Sequence, residues 1–356
     1  MKIMVVDDSI VFRSSITQAL NDVQGYNVFK ACSNGKIAVD FLKQNPDTDL
    51  VTLDMEMPVM DGLETIKEIR KFNKDVIIVV FSSVTKSGAE KTIDALAAGA
   101  NDFVTKIEGA NTIDQSLEEI RKELVPKIEA LKIKYQKKTN PVASVAPKKK
   151  DIVEVSCNLE KVVSAMSIKP KLLLIGCSTG GPDALKTIFD AIDFKISIPV
   201  LIVQHMPPMF TQKLAELLNK NPFNEITEAK LGDQIGAGKC LIAPGDYHML
   251  LKKDGTIDLN QAEKVCFVRP AVNVLFESVA NNYNEQVMTI ILTGMGDDGT
   301  EGLKKLDAKN PYNFIQDESS SVVWGMPGSV SRSGINHHVL PLKKMSELIK
   351  LVSERI

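Results

Sequence analysis

Residues 171–182 read Lys171-Leu-Leu-Leu-Ile-Gly-Cys-Ser178-Thr-Gly-Gly-Pro182, and this stretch decides the fold of the second half of the chain. The apolar run predicts a strand, and the glycines followed by proline predict a tight turn into a helix. A serine at such a turn fits the Gly-x-Ser-x-Gly elbow, in which the backbone passes close to an exposed hydroxyl. We therefore expect Ser178 at the edge of a sheet, open to a substrate.

Two later apolar runs lead to residues that would complete a catalytic set. The run 198–203 ends two residues before His205, and the run 287–292 precedes a glycine-rich segment that contains Asp298. Because the carboxyl ends of parallel strands meet at one edge of a sheet, Ser178, His205 and Asp298 would lie together as nucleophile, base and orienting carboxylate. The pattern predicts an esterase-like site. Its order along the chain, Ser then His then Asp, differs from the Ser–acid–His order of the α/β-hydrolases.

Each of these features also has an ordinary structural interpretation. A glycine-rich turn from strand to helix often binds phosphate or only reverses the chain. His205 can mark the entry to a helix, and Asp298-Gly299 can form a simple turn. A nucleotide-binding domain is a further alternative, although residues 176–181 lack both the Gly-x-Gly-x-x-Gly spacing and a Gly-Lys-Ser/Thr ending.

Composition bounds the class of protein. The 356 residues suffice for two or three domains, and 44% hydrophobic with 25% charged residues is typical of soluble globular proteins. No apolar run approaches the roughly 20 residues of a membrane span. The first apolar run is too short for a signal peptide, because acidic residues follow it from Asp7 onward. Five scattered cysteines form no Cys-x-x-Cys pair, and the net charge is -2. We expect a cytoplasmic protein with no membrane insertion and no nucleic-acid partner.

Two segments with alternating strand and helix patterns predict two α/β domains. Residues 1–125 contain five short Val/Ile-rich runs with amphipathic stretches between them, which predicts a doubly wound five-stranded parallel sheet. Residues 169–356 predict a mainly parallel, Rossmann-like α/β domain. Glycine-containing turns at 236–239 and 252–255 indicate an antiparallel hairpin insertion in this second domain.

The segment between the two domains changes in composition. Helical character is expected to continue past Ile120 toward Lys134, and residues 136–150 then read QKKTNPVASVAPKKK, without apolar periodicity. Such sequence is typical of a flexible linker. We therefore assign residues 126–168 to a linker that begins as a helical extension.

Charged and polar residues follow the strands of the first predicted sheet. Asp7 and Asp8 come after the first strand, Asp54 after the third, Ser82 after the fourth and Lys106 after the fifth. Carboxylates at one edge repel each other unless a cation joins them, and hard oxygen ligands suit Mg²⁺. A carboxylate also attacks phosphorus to give an aspartyl phosphate. Taken singly, an aspartate after a strand is more often a turn or helix-cap residue, but the joint pattern favours a phosphoryl-transfer site.

Over about 120 residues the sequence resembles the response-regulator receiver family, through VVDDS, LDMEMPVMDGLE, VVFSS and GANDFVTK. The resemblance implies that Asp54 accepts a phosphoryl group from a histidine kinase. It implies Mg²⁺ contacts from Asp7 or Asp8, Asp54 and the backbone carbonyl of Glu56, and a switching set of Ser82, Phe103 and Lys106. One departure is Ile107, which stands where the family usually has a proline after a cis peptide bond.

Residues 169–356 resemble the catalytic domain of the chemotaxis protein-glutamate methylesterase family, CheB, through IGCSTGGP, VQHMPPMFT, APGDYHM, FVRPAVNVLFESVA, ILTGMGDDGTEGL and VVWGMPG. The resemblance implies the nucleophile Ser178, the general base His205 and the orienting carboxylate Asp298. The neighbouring Asp297 is not assigned a role. The resemblance also points to the backbone near Thr179 and Met295 for contacts with the oxyanion and the substrate. It favours the Met295 N–H as the donor to the oxyanion.

Four further residues near these motifs have lesser roles in this interpretation. Cys177 is expected to be a buried apolar residue, and His248 a structural or site-wall residue. Arg269 either contacts an acidic substrate surface or forms a structural ion pair. Asn273 is a departure, because the family often has aspartate there.

The two resemblances together imply a function. The chain is expected to hydrolyse glutamate γ-methyl esters on methyl-accepting chemoreceptors, releasing methanol, and to deamidate certain receptor glutamines, with no cofactor for the esterase reaction. The phosphodonor would be the histidine kinase of the chemotaxis pathway. In our hypothesis the unphosphorylated receiver domain covers the Ser178 edge, and phosphorylation of Asp54 raises activity by weakening that packing. The alternative is a response regulator whose C-terminal domain only binds partners.

Overall fold

The computed structural model describes most of the chain, in three ranges: 1–106, 113–139 and 159–355. The chain divides into two compact units, Met1–Val142 and Ala143–Ile356. The Lys106–Ile107 peptide bond and residues 140–158 of the predicted linker lie outside the described residues. Within the described ranges, every helix is too short or too polar to cross a bilayer.

The first unit is built around a parallel sheet of five strands. In chain order these are β1 (Lys2–Val6), β2 (Asn27–Cys32), β3 (Leu50–Asp54), β4 (Ile77–Ser82) and β5 (Asp102–Thr105). They pair in the order β2-β1-β3-β4-β5, and every pair is parallel. The central strands are apolar on both faces because helices cover both faces of the sheet, as in doubly wound folds. The predicted fold of this unit is confirmed.

Helices connect these strands: α1 (Ile10–Asn21), α2 (Gly35–Gln44), α3 (Gly62–Phe72) and α4 (Lys86–Ala97). Each begins after a short polar side chain that accepts a hydrogen bond from a backbone N–H of the first turn. These caps are Ser9, Asn34, Asp61 and Thr85. The caps fix where each helix begins, so the loops that follow β1, β3 and β4 are short and hold their polar side chains at one edge.

The last helix of the unit, α5 (Ile113–Thr139), is longer than its sequence pattern predicted. It packs against α1 through a buried stripe with helical spacing: Leu117, Ile120, Leu124, Ile128 and Leu131. Tyr26 donates a hydrogen bond to Glu129 at 2.5 Å, and Arg121 pairs with Asp22. The helix therefore runs through residue 125, where the sequence placed the end of the domain, and it belongs to the first unit as far as its buried stripe extends.

The second unit contains a sheet of seven strands that all pair in parallel. The strands are β6 (Leu172–Cys177), β7 (Val200–Gln204), β8 (Glu225–Glu228), β9 (Lys239–Ile242), β12 (Val287–Ile291), β13 (Tyr312–Gln316) and β14 (His338–Leu340), and the remaining two form a separate hairpin, β10 (His248–Leu251) and β11 (Ile257–Asn260). The order in the sheet is β14-β13-β12-β6-β7-β9-β8. The predicted parallel α/β domain with an antiparallel hairpin is confirmed.

Among the described residues, seven helices flank this sheet and the hairpin. They are α6 (Leu159–Ala165), α7 (Gly181–Asp190), α8 (Phe210–Leu218), α9 (Val272–Asn282), α10 (Thr300–Leu306), α11 (Met326–Arg332) and α12 (Leu342–Glu354). A short 3₁₀ turn, Asp307–Lys309, follows α10. The helices α7, α8, α9 and α10 each begin in a loop that leaves the carboxyl end of a strand or the hairpin, so their amino termini surround one edge of the sheet.

Only one of the two predicted turns belongs to the antiparallel hairpin. The turn at 252–255 joins β10 to β11, whereas the turn at 236–239 leads into β9, which pairs in parallel with β8. Ten residues separate β8 from β9, and this length lets the chain cross back and enter the sheet in the same direction. A glycine turn marks where a strand begins, but it does not determine the direction of pairing.

The central position of β6 brings three loops together. This strand lies between β12 and β7, and it pairs in parallel with both. The chain leaves β6 toward α7, β7 toward α8 and β12 toward α10. The carboxyl ends of these three adjacent strands form one edge, which is where open α/β sheets hold their ligands.

The buried stripe of α5 yields a test of the first unit. Leu131→Ala should lower the free energy of unfolding of residues 1–139 by about 2–4 kcal/mol, because Leu131 is fully buried and its loss leaves a cavity. Ile133→Ala is the matched control, since Ile133 is 59% exposed on the same helix and should cost less than about 0.5 kcal/mol. Urea unfolding measures both. Equal effects of the two substitutions would show that the stripe is not packed.

Candidate active site and carboxylate cluster

Ser178 lies in a tight turn between β6 and α7. Its backbone N–H donates to the Thr293 carbonyl at 3.0 Å, and its own carbonyl accepts from the Gly181 N–H at 2.7 Å. Gly180 has φ of 78°, and a Cβ there would lie 2.6 Å from the Val322 side chain. Glycine is therefore required at this position for both conformation and space. The turn places the serine directly at the carboxyl end of β6, as the elbow pattern predicted.

His205 and Asp298 form a hydrogen-bonded pair. The His205 Nε2 and the Asp298 Oδ2 lie 2.8 Å apart. The Asp298 carboxylate also accepts backbone hydrogen bonds from Val272 at 2.6 Å and Asn273 at 2.9 Å, the first residues of α9. Asp298 is only 1% exposed, so these three donors replace the water that an ionised carboxylate requires.

The pairing leaves one nitrogen of the histidine ring for the serine. With Nε2 bound to Asp298, Nδ1 is the ring nitrogen that remains to accept a proton from Ser178. The His205 backbone N–H donates to the Cys177 carbonyl at 3.1 Å, which fixes the two loops side by side. Within the described residues the Ser178 hydroxyl makes no hydrogen bond to the ring. Catalytic contacts of this kind commonly tighten only when substrate is bound.

The loop that contains Met295 borders the serine. A Cβ at Gly294 would lie 2.9 Å from the Ser178 Cβ, so the backbone of this loop passes directly beside the serine. The Gly294 carbonyl accepts hydrogen bonds from Gly325 at 3.0 Å and Met326 at 2.9 Å. The next backbone N–H, that of Met295, has no acceptor among the described residues. A fixed and unsatisfied N–H beside the nucleophile is what an oxyanion donor requires.

Thr179, the other residue predicted to contact the oxyanion or the substrate, is fixed by a hydrogen bond to its backbone. Its carbonyl accepts a hydrogen bond from the Thr293 hydroxyl at 2.9 Å, and its side chain is buried. The Thr293 N–H donates in turn to the Gln316 side chain at 2.8 Å. These bonds connect the loops after β6, β12 and β13, so the backbone on both sides of Ser178 is fixed.

Gln204 contributes to the site and was missed by the sequence analysis. Its side-chain Nε2 donates to the carbonyls of both Ser178, at 3.0 Å, and His205, at 3.2 Å. The residue is 2% exposed and ends the otherwise apolar strand β7. A buried amide at the end of an apolar strand was the available signal, since such a group must find hydrogen-bond partners.

Asn273 stabilises the loop that contains Asp298. Its Oδ1 accepts hydrogen bonds from the backbone of Gly299 at 2.9 Å and Gly302 at 2.7 Å, in the first turn of α10. The sequence identified Asn273 only as a departure from the family pattern. The structure shows that the amide oxygen caps a neighbouring helix while the backbone N–H holds Asp298.

The other residues considered from the sequence are structural or exposed. Arg269 forms an ion pair with Asp246 at 2.6 Å, which favours the structural alternative for this residue. His248 is buried and bonds the Glu263 carbonyl through Nε2 at 3.0 Å. Cys177 is fully buried, and burial raises the pKa of its thiol far above the ordinary value. These three residues therefore offer no nucleophile or base to the site.

In the first unit, the loops after β1, β3 and β5 bring carboxylates and a lysine together. One carboxylate oxygen each of Asp7, Asp8 and Asp54 lies within 4.8 Å of the others. The Lys106 Nζ is 2.7 Å from the Asp54 Oδ1 and 3.7 Å from the Asp7 Oδ2. Asp7 Oδ2 and Asp54 Oδ2 are buried and accept no hydrogen bond within the described residues. Two unsatisfied buried carboxylate oxygens beside a third carboxylate fit a divalent cation with oxygen ligands.

Crowding of negative charge changes the acidity of this cluster. The pKa of Asp7 is raised to about 6, by burial first and then by the charge of Asp54. Burial also raises the pKa of Asp54, against the opposing effect of Lys106. Added positive charge would therefore stabilise the ionised carboxylates of this cluster, and a cation would supply it.

The remaining residues of the predicted receiver set lie around this edge. Ser82 is buried, its hydroxyl donates to the Gly88 carbonyl at 3.0 Å, and its own carbonyl accepts from the Lys106 N–H at 2.7 Å. Phe103 is buried in β5, with the Lys127 Nζ 4.9 Å from its ring centroid. The Glu56 N–H donates to Asp54 at 3.3 Å. The structure thus places the predicted receiver residues at the ends of the strands along one edge, except Phe103, which lies within β5.

The fold and the geometry of these two sites are those expected of a response-regulator receiver domain joined to a second, enzymatic domain of the α/β class. The family model for CheB methylesterase matches residues 173–349, and the model for the response regulator receiver domain matches residues 3–118. A protein-glutamate methylesterase/protein-glutamine glutaminase of Trichodesmium erythraeum is 39% identical over 98% of this chain and 97% of its own length. The chain belongs to the CheB methylesterase family, with an N-terminal receiver domain.

A second relative agrees with this assignment. A protein of the same name from Symbiobacterium thermophilum is 38% identical over 98% of this chain and 96% of its own length. The chain is also similar to the crystal structure of the Thermotoga maritima CheB methylesterase catalytic domain, with 38% sequence identity and a TM-score of 0.49. This match covers 52% of this chain and 100% of the Thermotoga maritima chain.

The two hydrogen bonds of Gln204 predict a role in positioning. Gln204→Met keeps the volume but removes both donors, so the Ser178 and His205 loops should shift and kcat for ester hydrolysis should fall about 10–100-fold, with KM within about twofold. Gln212→Met, in the exposed part of α8, is the matched control and should leave kcat unchanged. Methanol release under saturating substrate measures both variants. An unchanged kcat for Gln204→Met would contradict this role.

The raised pKa of Asp7 predicts a pH effect on the metal-free first unit. Between pH 3.8, the ordinary pKa, and about 6, the folded state retains a proton that the unfolded state has lost. Raising the pH through this window should therefore lower the free energy of unfolding, by about 3 kcal/mol for a shift of about two pKa units.

Urea unfolding of residues 1–139 with a chelator, between pH 4 and 7.5, measures this slope. Asp7→Asn should make the slope shallower, whereas Asp8→Asn, at the exposed carboxylate, should change it least. A wild-type stability that rises across the window would show that the folded unit does not hold this proton.

Proposed function

We propose that this chain is a phosphorylation-activated protein-glutamate methylesterase that hydrolyses γ-methyl esters of glutamyl residues on chemoreceptors, releasing methanol. We also propose that it deamidates certain receptor glutamines. The observation that supports this most is the buried His205–Asp298 pair at the strand edge that presents Ser178. Relatives named for these two activities match the chain over nearly its whole length.

Acylation follows from the positions of these side chains. As the Ser178 oxygen attacks the ester carbonyl, His205 Nδ1 takes the hydroxyl proton, and the new imidazolium is stabilised by the buried Asp298 carboxylate. The negative oxygen of the tetrahedral intermediate lies at the Met295 N–H. When the intermediate collapses, the C–O bond to the methoxy group breaks, and His205 returns its proton to the departing methanol. The product is a glutamyl ester of Ser178.

Deacylation repeats these steps with water. His205 takes a proton from water as its oxygen attacks the acyl carbon, and the proton then passes to the Ser178 oxygen as that bond breaks. The receptor is left with a free glutamate. A glutamine side chain forms the same acyl-enzyme, with ammonia leaving in place of methanol, so one site accounts for both activities.

The first unit supplies the regulation. In this proposal an Asp54 oxygen attacks the phosphorus of the kinase's phosphohistidine, and the P–N bond breaks as the histidine leaves. Lys106, 2.7 Å from Asp54, neutralises phosphoryl oxygens. Asp7, Asp8, Asp54 and the Glu56 carbonyl would hold Mg²⁺. When bound, the ion supplies positive charge between the carboxylates and the phosphoryl group. Ser82 and Phe103 respond to the phosphoryl group and transmit the change.

A reducing compartment suits this proposal. The cysteines that the structure describes, Cys32, Cys177, Cys240 and Cys266, are all free thiols. Free thiols together with an aspartyl-phosphate site favour the cytoplasm, where kinases have access to ATP.

The test is methanol release from methylated receptor membranes, with and without a small phosphodonor and Mg²⁺. Wild type should release methanol faster with phosphodonor. Ser178→Ala should release none, because the other triad members have no nucleophile to activate. Asp54→Asn should retain the basal rate and lose the response to phosphodonor.

Two outcomes would contradict the proposal. Release that persists in Ser178→Ala would remove the assigned nucleophile. No release by wild type from any authentic receptor preparation would favour the alternative, a response regulator whose C-terminal domain only binds partners.

A further inference from the structure

Phe267 stands at the tip of a two-residue turn between β11 and α9. Val265 and Val268 exchange both backbone hydrogen bonds across the turn, at 3.1 and 3.0 Å. The central residues, Cys266 and Phe267, have φ of 52° and 65°. The Phe267 side chain is 95% exposed, the highest value among the large apolar residues that the structure describes.

Neither the backbone nor the core accounts for phenylalanine at this tip. Two-residue turns with both central φ values positive favour Asn-Gly, because a Cβ is unfavourable in the left-handed region. A side chain that stays in water also gains nothing from apolar burial. A bulky residue held in such a conformation points to a use outside the fold.

The turn is held rigidly. Arg269, next to the turn, pairs with Asp246 at 2.6 Å and donates to the carbonyl of Gln261 at 2.8 Å. On the other side, the buried His248 bonds the Glu263 carbonyl at 3.0 Å. The stem of the turn is therefore anchored at both sides, so the backbone that carries Phe267 loses little conformational entropy when a partner covers the side chain.

The turn borders the proposed active site. The Cys266 Sγ accepts a hydrogen bond from the Asn273 Nδ2 at 3.5 Å, and the Asn273 backbone N–H holds the catalytic Asp298. The Met295 side chain, in the loop beside Ser178, is 39% exposed. The tip that displays Phe267 is connected through Cys266 and Asn273 to Asp298, so we expect a polypeptide with its ester carbonyl at Ser178 to run close to Phe267.

We propose that Phe267 is a substrate-contact residue, which packs against an apolar surface of the receptor segment that bears the glutamyl methyl ester. This inference rests on the proposed function. Phe267 takes no part in bond making, so its contact contributes to binding of the protein substrate and not to the chemical step. Its loss raises KM and leaves kcat in place.

The test compares Phe267→Ser and Phe267→Gly with wild type on methylated receptor membranes, using the full chain with phosphodonor. Both variants should raise KM about tenfold, with kcat within twofold. Phe267→Gly should also melt at an unchanged or higher temperature, because glycine accepts the left-handed conformation. A purely structural role predicts the opposite shift. Phe267→Leu, which keeps an apolar side chain, should keep most of the affinity.

The matched control is Phe223→Ser. Phe223 is also an exposed aromatic residue of the second unit, at 44%, but it precedes β8 and so lies at the opposite, amino-end edge of the sheet. This variant should leave both KM and kcat unchanged.

Four results would overturn the inference. A wild-type KM in Phe267→Ser and Phe267→Gly would remove the contact, while methanol release by wild type would still support the proposed function. Lower melting temperature with lower kcat would make Phe267 structural. Higher basal activity without phosphodonor, at unchanged KM, would assign the turn to the receiver. No methanol release by wild type would defeat the proposed function first, and this inference with it.

Discussion

The second unit depends on one buried carboxylate. An ionised group at the 1% exposure of Asp298 is costly unless hydrogen bonds replace its water. Two backbone donors at the start of α9 and the His205 ring provide those bonds, and the amino-terminal end of a helix favours negative charge. The same carboxylate therefore joins the ends of β7 and β12 to α9. Its hydrogen bond fixes the His205 ring beside the loop that contains Ser178.

The contacts around that carboxylate form a continuous network. Gln204 connects the carbonyls of the serine and histidine loops, and Thr293 connects the serine loop to the loop after β12. Asn273 holds Asp298 with its backbone and the first turn of α10 with its side chain. Because each of these groups is hydrogen-bonded to a neighbouring loop, displacing one leaves its partners unpaired. The relative positions of Ser178, His205 and Asp298 thus depend on several loops together.

The sequence predicted what local patterns determine. The strands, the Ser178 turn and the two sheet edges all depend on short runs of residues, and they are where the sequence placed them. The parallel pairing of β8 with β9 was not predicted, because its direction depends on how the intervening ten residues cross the sheet. Gln204 was missed because its acceptors are backbone carbonyls, which no residue type reveals. The positive φ of Phe267 likewise depends on the register of Val265 and Val268, which exists only once the turn has closed.

The two units differ in how their buried carboxylates are compensated, and this difference agrees with the proposed function. The Asp298 carboxylate accepts three hydrogen bonds from protein groups, so its position does not depend on a ligand. In the first unit, Asp7 and Asp54 share one lysine, and each keeps a buried oxygen that accepts no hydrogen bond from the described residues. Such a cluster is incomplete by itself, and its lowest free energy depends on added cations and on the charge at Asp54. The proposed phosphorylation of Asp54 would change this charge, and we therefore expect it to alter the contacts of Lys106.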